Sequence, residues 1–364
     1  MGGLEVIVNV HNILNVYEKY IYKGCGNKRK LYNFERYKMR NINLVYNVLL
    51  SDSYKIGRYN IFLIKYPKYR IVMSLNMNDK IINHYITIYA LIPKLERYLD
   101  NRNIATRIGM GCDYGIKLLK RYIEKNKKYG KFYILKLDIK KYFYNIDHDI
   151  LKNMIKDKLD KSEYNILCNI IDSTNDNYIN DKINKLKNIE LLYTERVKEV
   201  IDIPNYKYNK GLPIGNMTSQ FFAIYYLNSL DHYIVHNLKI KYMIRYMDDY
   251  VLIHNDKNYL KLCKTIIEKK LNDEYKLELN LNKSKIYNSY DGFDFLGCKF
   301  IINNNRTIIK VSNRTFNNIK KRIRICDKSD FKKFYSTMNN YYYSFKYCSS
   351  LCIKRYINSI LEEK

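Results

Sequence analysis

Apolar positions recur at helical spacing through residues 1–58, as in Ile13, Val16, Tyr17 and Tyr20, and predict a basic, helical N-terminal segment. The pattern then changes. Residues 59–66 (YNIFLIKY) and 70–75 (RIVMSL) are continuous apolar, β-branched runs separated by Pro67, Lys68 and Tyr69, which predicts a hairpin. Residues 79–100 carry an apolar stripe with an acid at the start, so a helix is expected, broken or kinked at Pro93. A further amphipathic helix is expected over 112–129, after Gly109 and Gly111. Residues 131–138 (KFYILKLD) read as a buried strand ending in Asp138, with a helix from 147 to 159 behind it.

Residues 174–205 are rich in Asn, Asp and Lys and only weakly periodic, which reads as a polar insertion. A glycine-bounded turn follows at 211–216 (GLPIGN), then one long helix over 217–238. Two short apolar runs, 241–247 (KYMIRYM) and 250–254 (YVLIH), flank Asp248 and Asp249 and predict a hairpin with its turn on the two acids. A helix over 257–275, strand-like stretches at 277–287 and 293–301, and a helical, basic, Tyr-rich segment over 313–364 complete the chain. The middle has the order β-α-β-β-α-β, that of a split βαβ sheet, and the fold class is α+β.

Composition sharpens this picture. The chain has 364 residues, 47% of them hydrophobic, enough for a packed core in two or three domains. With 65 Lys plus Arg against 36 Asp plus Glu, the formal charge is +29. A globule that basic repels itself, so a polyanion is the expected partner, nucleic acid ahead of a membrane surface. The abundance of Lys, Asn, Ile and Tyr (40 Tyr, no Trp) also matches an A/T-rich coding sequence, so part of the charge reflects codon usage. No apolar run is long enough to cross a membrane. The start, MGGLEVIVNV, lacks a basic region before an apolar stretch and carries Val6 where myristoylation wants Ser or Thr, so neither a secretory signal nor a lipid is expected. The eight cysteines form no CxxC pair and read as free thiols in a reducing compartment, which gives a cytoplasmic location. His232 and His236 lie one helical turn apart without a third ligand beside them, so a histidine pair is expected rather than a zinc site.

Three acids stand at strand ends: Asp138 after KFYILKL, and Asp248 with Asp249 between two apolar runs. Adjacent carboxylates on a tight turn repel one another. With a third from a neighbouring strand they suit a pair of Mg²⁺ ions, hard cations that prefer oxygen donors. Two such ions, roughly 3.5–4 Å apart, clamp the attacking and leaving oxygens of an in-line phosphoryl displacement. A solvated turn is the alternative for the two adjacent acids alone, since Asp is a common turn residue.

The segment Tyr246-Met247-Asp248-Asp249 resembles the YxDD box of reverse transcriptases, and other blocks fall into that family's order. Lys136 to Ile146 (KLDIKKYFYNI) resembles the first catalytic-acid block, and Gly211 to Gln220 (GLPIGNMTSQ) the template and nucleotide block. Lys283-Ser284-Lys285 resembles the later lysine block, Gly292 to Gly297 (GFDFLG) the primer grip, and Ala105 to Gly111 (ATRIGMG) the fingers block of bacterial members. Six blocks in one order make the resemblance specific.

The resemblance implies a right-hand polymerase: an N-terminal extension over 1–58, fingers over 59–134, a palm over 135–302 and a helical thumb over 303–364. Asp138, Asp248 and Asp249, with the Ile139 backbone carbonyl, would hold two Mg²⁺ (Mn²⁺ as a substitute), and Lys283 would protonate the leaving pyrophosphate. Phe143 takes the steric-gate position under the sugar and favours deoxynucleotides. Lys68, Arg70 and Arg107 would grip the triphosphate, since guanidinium pairs phosphate bidentately. Ile214, Gly215 and Gln220 belong to the nucleotide block. Lys80 departs from the family, where Arg is common. Ile214-Gly215-Asn216 followed by Ser219-Gln220 departs from the commonest form and resembles diversity-generating retroelement and phage-defence enzymes, in which the aliphatic residue goes with reduced fidelity.

The implied function is RNA-directed DNA synthesis, with template RNA, a DNA or RNA primer and dNTPs as partners, and a small basic accessory protein if the retroelement form holds. Two alternatives stay open: a phage-defence reverse transcriptase with template-independent or protein-primed synthesis, and a maturase-like RNA-binding cofactor. From the 64 residues after 300 a helical thumb is expected, and an RNase H or HNH domain is not. Lys320, Lys321, Arg322 and Arg324, with Tyr341 to Tyr343, suit phosphate contact and stacking there.

Overall fold

The computed structural model describes residues 8–51, 54–303, 306–326 and 330–362. Contacts gather the chain into two units, each drawn from several stretches of the sequence. One comprises Met1–Asp100, Lys141–Ser229 and Asn272–Leu277; the other comprises Asn101–Lys140, Leu230–Leu271 and Glu278–Lys364. No described helix is long and apolar enough to cross a membrane.

In the first unit, asparagine side chains start three of the helices. Asn9 accepts from the Asn12 amide at 2.7 Å, Asn27 from Lys30 at 3.0 Å and Asn76 from Asp79 at 2.8 Å, each satisfying an amide that the first helical turn leaves unpaired. The helix Met77–Ile86 runs into a π turn over Thr87–Leu91 and resumes as Ile92–Leu95, so Pro93 disturbs it as expected of a residue without an amide donor. The hairpin is formed by β1 (Asn60–Ile64) and β2 (Arg70–Ser74), paired from Asn60↔Ser74 to Ile64↔Arg70. Its inward residues Ile61, Ile71 and Met73 pack on Ile179, Ile183, Val200, Ile203 and Tyr206.

That packing corrects the reading of 174–205 as a polar insertion. The stretch folds as the helices Asn177–Leu191 and Val197–Ile201. Ile179, Ile183 and Leu186 are spaced by a helical turn, and this narrow stripe among Asn and Lys supplies the floor of the hairpin. The expected long helix over 217–238 is two helices, Met217–Tyr226 and Asn228–His236.

The second unit is built on a four-stranded antiparallel sheet in the order β4-β5-β3-β6, with β3 Tyr133–Asp138, β4 Tyr242–Tyr246, β5 Asp249–His254 and β6 Lys285–Asn288. This is the split arrangement the element order predicts. Cross-strand register puts Ile134, Ile244, Val251 and Ile253 on one face, where they pack with Ile116, Leu119 and Ile123 of the helix Cys112–Lys127. Residues 277–284 are not strand; β6 begins only at Lys285. A second sheet, β7 (Phe293–Phe295), β8 (Cys298–Asn303) and β9 (Arg306–Val311), follows; the single stretch expected at 293–301 is divided at Leu296-Gly297 into two paired strands, and β9 is an addition to the expected elements. Three helices, Asn313–Ile325, Phe331–Tyr342 and Leu351–Glu362, close the chain around Ile319, Ile323, Phe334, Met338, Ile353 and Ile357. All eight cysteines are free, as their spacing predicts, and the His232 and His236 rings stack at 5.8 Å.

Candidate active site

The second unit brings the three acids together through register. Asp138, the last residue of β3, stands directly opposite Asp249, the first of β5. Tyr246 also pairs with Asp249, so the β4–β5 connection is the two residues Met247 and Asp248. The turn therefore lies one residue earlier than expected, and Asp249 is already in its strand. Met247 takes a left-handed backbone at φ 55°, as a two-residue hairpin connection demands. Like charges facing each other across a sheet are unfavourable. Burial first, then the charges of Asp249 and Asp138, push Asp248 up to about 7. Asp249 is also raised, mainly by burial, against Lys136 and Lys283, which pull it down.

Lys283 reaches this cluster through a turn. The Asn280 amide donates to the Asp138 carbonyl at 2.8 Å, and the Lys283 and Ser284 amides fold back on the Asn280 carbonyl at 3.0 and 2.9 Å. The Ser284 hydroxyl then accepts from the Asp138 amide at 3.2 Å. The result sets Lys283 Nζ 2.8 and 2.9 Å from the two Asp138 carboxylate oxygens. Lys140 donates its amide to the Glu278 carbonyl at 2.9 Å. These bonds flank Ile139 and Leu279 as a non-hydrogen-bonded pair, so the Ile139 carbonyl points away from 278–280.

On the opposite face lies a network that the pattern of residues did not disclose. Arg245 in β4 and Asp231 in the helix Asn228–His236 are both fully buried. Arg245 Nε donates to Asp231 Oδ1 at 2.8 Å and Nη2 to Oδ2 at 2.6 Å, while the Tyr250 hydroxyl adds a bond to Oδ1 at 2.9 Å. Arg245 Nη1 reaches the Met247 carbonyl at 3.1 Å, within the acid-bearing turn. The available signal was one charged residue inside the apolar run KYMIRYM. Along the chain backbone, the Ile104 amide donates to the Arg245 carbonyl at 3.0 Å, which ties the start of the Ala105–Gly111 block to the edge of β4. Arg107 is half-buried there and donates to the Asn103 carbonyl at 3.1 Å. The Gly292–Gly297 block forms the β7–β8 hairpin, whose two connecting residues, Leu296 and Gly297, both have positive φ.

The remaining predicted residues lie in the first unit. Lys68 is exposed at the β1–β2 tip, and Arg70 is exposed at the start of β2. Phe143 is half-buried, its ring edge-on to Tyr142 at 5.9 Å. Ile214 is half-buried, and Gly215 and Gln220 are exposed. The Ile214 carbonyl accepts from the Met73 amide at 2.8 Å, so this block lies against β2. A Cβ on Gly215, at φ +133°, would come within 2.4 Å of the Met73 carbonyl oxygen. Gly215→Ala is therefore expected to lower stability by about 2 kcal/mol or more, from backbone strain and the clash together. Thermal unfolding beside Gly26→Ala, where a Cβ meets nothing within 4 Å, checks this; equal melting points would refute it.

The donor set suits a hard divalent cation. Three carboxylates and a backbone carbonyl are all oxygen donors, and their mutual repulsion is what a cation relieves. Among the described residues no three His, Cys, Asp or Glu side chains already surround one point, and Asp138 is turned onto Lys283. Lys283 is thus the group that a cation would displace.

A family model described as reverse transcriptase (RNA-dependent DNA polymerase) matches residues 64–300, which contain all six blocks. Solved structures with similar folds include apo telomerase from Candida tropicalis truncated from its C-terminal domain. That chain is 17% identical, over 71% of this chain and 55% of its own, with a TM-score of 0.45. Telomerase from Candida albicans in complex with a TWJ fragment of telomeric RNA is 13% identical, over 79% of this chain and 53% of its own, with a TM-score of 0.43. The chain spans about half the length of these structures. No curated protein sequence matches it. With the family model covering well over half of its residues, the chain belongs to the reverse transcriptase (RNA-dependent DNA polymerase) family of nucleotidyltransferases.

Proposed function

We propose that this chain extends a primer on an RNA template with dNTPs, as an RNA-directed DNA polymerase. The observation that carries the reading is the Asp138–Asp249 register pair with Asp248 on the adjoining turn. A binding scaffold has no use for three carboxylates that destabilise one another when unoccupied.

Asp138, Asp248, Asp249 and the Ile139 carbonyl would hold Mg²⁺. When bound, the ions neutralise phosphate charge and favour ionisation of the primer 3′-hydroxyl. In the reaction the 3′-hydroxyl gives its proton to solvent water, its oxygen bonds to the α-phosphorus, and the bond from that phosphorus to the β,γ-diphosphate oxygen breaks. Lys283, released from Asp138, supplies a proton to that leaving group and counters its charge. Lys68, Arg70 and Arg107 take the triphosphate, and Gly215 and Gln220 belong to the nucleotide block. Phe143 packs under the sugar and excludes a 2′-hydroxyl.

The test is extension of a DNA primer on an RNA template with Mg²⁺ and dNTPs. Primed, template-dependent product is expected. Incorporation without a template, or onto the protein itself, would move the reading to a defence-type enzyme; RNA binding with no incorporation would favour the maturase-like reading. In the same assay Phe143→Ala is expected to raise ribonucleotide use at least tenfold relative to deoxynucleotide, and an unchanged ratio would refute the gate. Sequenced products address Ile214, whose aliphatic side chain offers no amide near the sugar. Errors concentrated at template adenines are expected, and an even distribution would count against that role.

A further inference from the structure

The tip of the β1–β2 hairpin, residues 65–69, carries Lys68 and leads into Arg70. Exposed tips of this kind are ordinarily mobile. Here the tip is tied to the segment 177–201 at several points. Arg196 Nη1 donates to the Lys65 carbonyl at 2.9 Å and Nη2 to the Pro67 carbonyl at 3.3 Å. Its guanidinium lies over the rings of Tyr69 and Tyr66, at 4.6 and 5.4 Å. The buried Glu190 carboxylate takes Lys65 Nζ at 2.7 Å and the Tyr69 hydroxyl at 2.8 Å. The Tyr69 hydroxyl also meets Thr194 Oγ1 at 2.8 Å, and that oxygen accepts from the Arg196 amide at 3.1 Å. Glu199, in the short helix Val197–Ile201, pairs with Arg196, the residue just before that helix, and orients it.

The chemistry of these contacts is selective. What Arg196 gives the tip goes to main-chain carbonyls, which fixes the backbone path rather than one side chain, while Nε and Nη2 also hold Glu199. Glu190 and Arg196 bracket the tip with opposite charges, and the apolar floor of Ile179, Ile183 and Val200 holds the strands below. Lys68 and Arg70 are thereby carried by a braced element, with both side chains exposed.

We propose that the segment 177–201 is a clamp on this hairpin, and that Arg196 and Glu190 are positioning residues that hold Lys68 and Arg70 ready for the triphosphate of an incoming nucleotide. The proposal rests on the assignment of Lys68 and Arg70 as triphosphate ligands made above. A tip ordered beforehand has less freedom to lose when the nucleotide binds. Loss of the clamp therefore acts on nucleotide KM more than on kcat.

Two measurements on the full chain test it. The first is trypsin cleavage after Lys68 and Arg70 in wild type, Arg196→Ala and the milder Glu190→Gln, without nucleotide. Cleavage at least tenfold faster in Arg196→Ala, and faster in Glu190→Gln, is expected; unchanged rates overturn the clamp whether or not the chain polymerises. The second is primer extension against dNTP concentration. A KM raised about tenfold in Arg196→Ala is expected, the scale of one lost charged hydrogen bond, with kcat within about twofold. A fall in kcat at unchanged KM would mark the segment as structural only and overturn the positioning role. If wild type itself incorporates no nucleotide, the polymerase assignment fails, and with it the positioning role, while the trypsin rates still decide the clamp.

Discussion

Asp248→Asn is expected to abolish nucleotide incorporation and, at the same time, to raise the melting temperature of the metal-free protein. The first effect follows from removing one of the three carboxylates proposed to hold Mg²⁺. Loss of several kcal/mol of charge stabilisation lowers the rate on the order of a thousandfold. The second follows from the observed geometry. Asp248 sits beside Asp249 and near Asp138 in a partly buried cluster that resists its ionisation. A neutral amide of the same shape removes that repulsion, so a rise of about 2 °C or more is expected. Mg²⁺ should raise the melting temperature of wild type by binding the folded state, and raise that of the variant much less. RNA affinity should persist, because phosphate contacts come from the basic residues and not from the acids. Calorimetry with and without Mg²⁺, beside primer extension, checks all of this. A variant that still polymerises, or that Mg²⁺ stabilises as strongly as wild type, would refute the assignment.

The second large effect belongs to Asp231. Asp231→Ala leaves the Arg245 guanidinium buried without its carboxylate, which is expected to cost about 3–5 kcal/mol in urea unfolding. The double variant Asp231→Leu with Arg245→Met replaces the pair by apolar side chains and should recover most of that loss, since buried ion pairs are often no better than well-packed hydrophobic residues. It should not recover full activity. Arg245 Nη1 is the donor to the Met247 carbonyl, and without it the turn carrying Asp248 loses a fixed point. A kcat about tenfold below wild type in a stable double variant is expected. Full activity there would show that the pair serves the fold alone, and a single variant losing less than about 1 kcal/mol would show that the charge is not effectively buried.

Much of this molecule was legible in its residues, for identifiable reasons. The runs KFYILKLD, KYMIRYM and YVLIH are short, apolar and marked by an acid at one end, and the structure makes all three strands of one antiparallel sheet. The helix over 257–275 is Lys257–Tyr275. Local signals failed where a segment takes its meaning from a neighbour. Residues 174–205 looked like a polar insertion because Ile179 and Ile183 form only a thin stripe; against Ile61 and Met73 that stripe is core. The turn at Met247-Asp248 was misplaced by one residue because the dipeptide DD is itself a good turn signal. Pairing of Tyr246 with Asp249 overrode it. Arg245 and Asp231 are far apart in kind from their sequence neighbours, yet nothing local says that they meet.

By itself the sequence determined the identities and order of the acids, the lysine block and the glycines, and with them the family. These are properties of residue type and spacing, which survive without coordinates. Tertiary structure alone decided that Asp138 faces Asp249 and that Lys283 closes onto Asp138 through the Asn280 turn. It also decided that Arg245 braces the acid-bearing turn from the far face and that Arg196 braces the hairpin tip. Each of these depends on register or on a contact between residues distant in the chain. Such contacts form only when buried apolar faces fix one pairing among many, because a slip of one residue would turn every side chain of a strand to the other face.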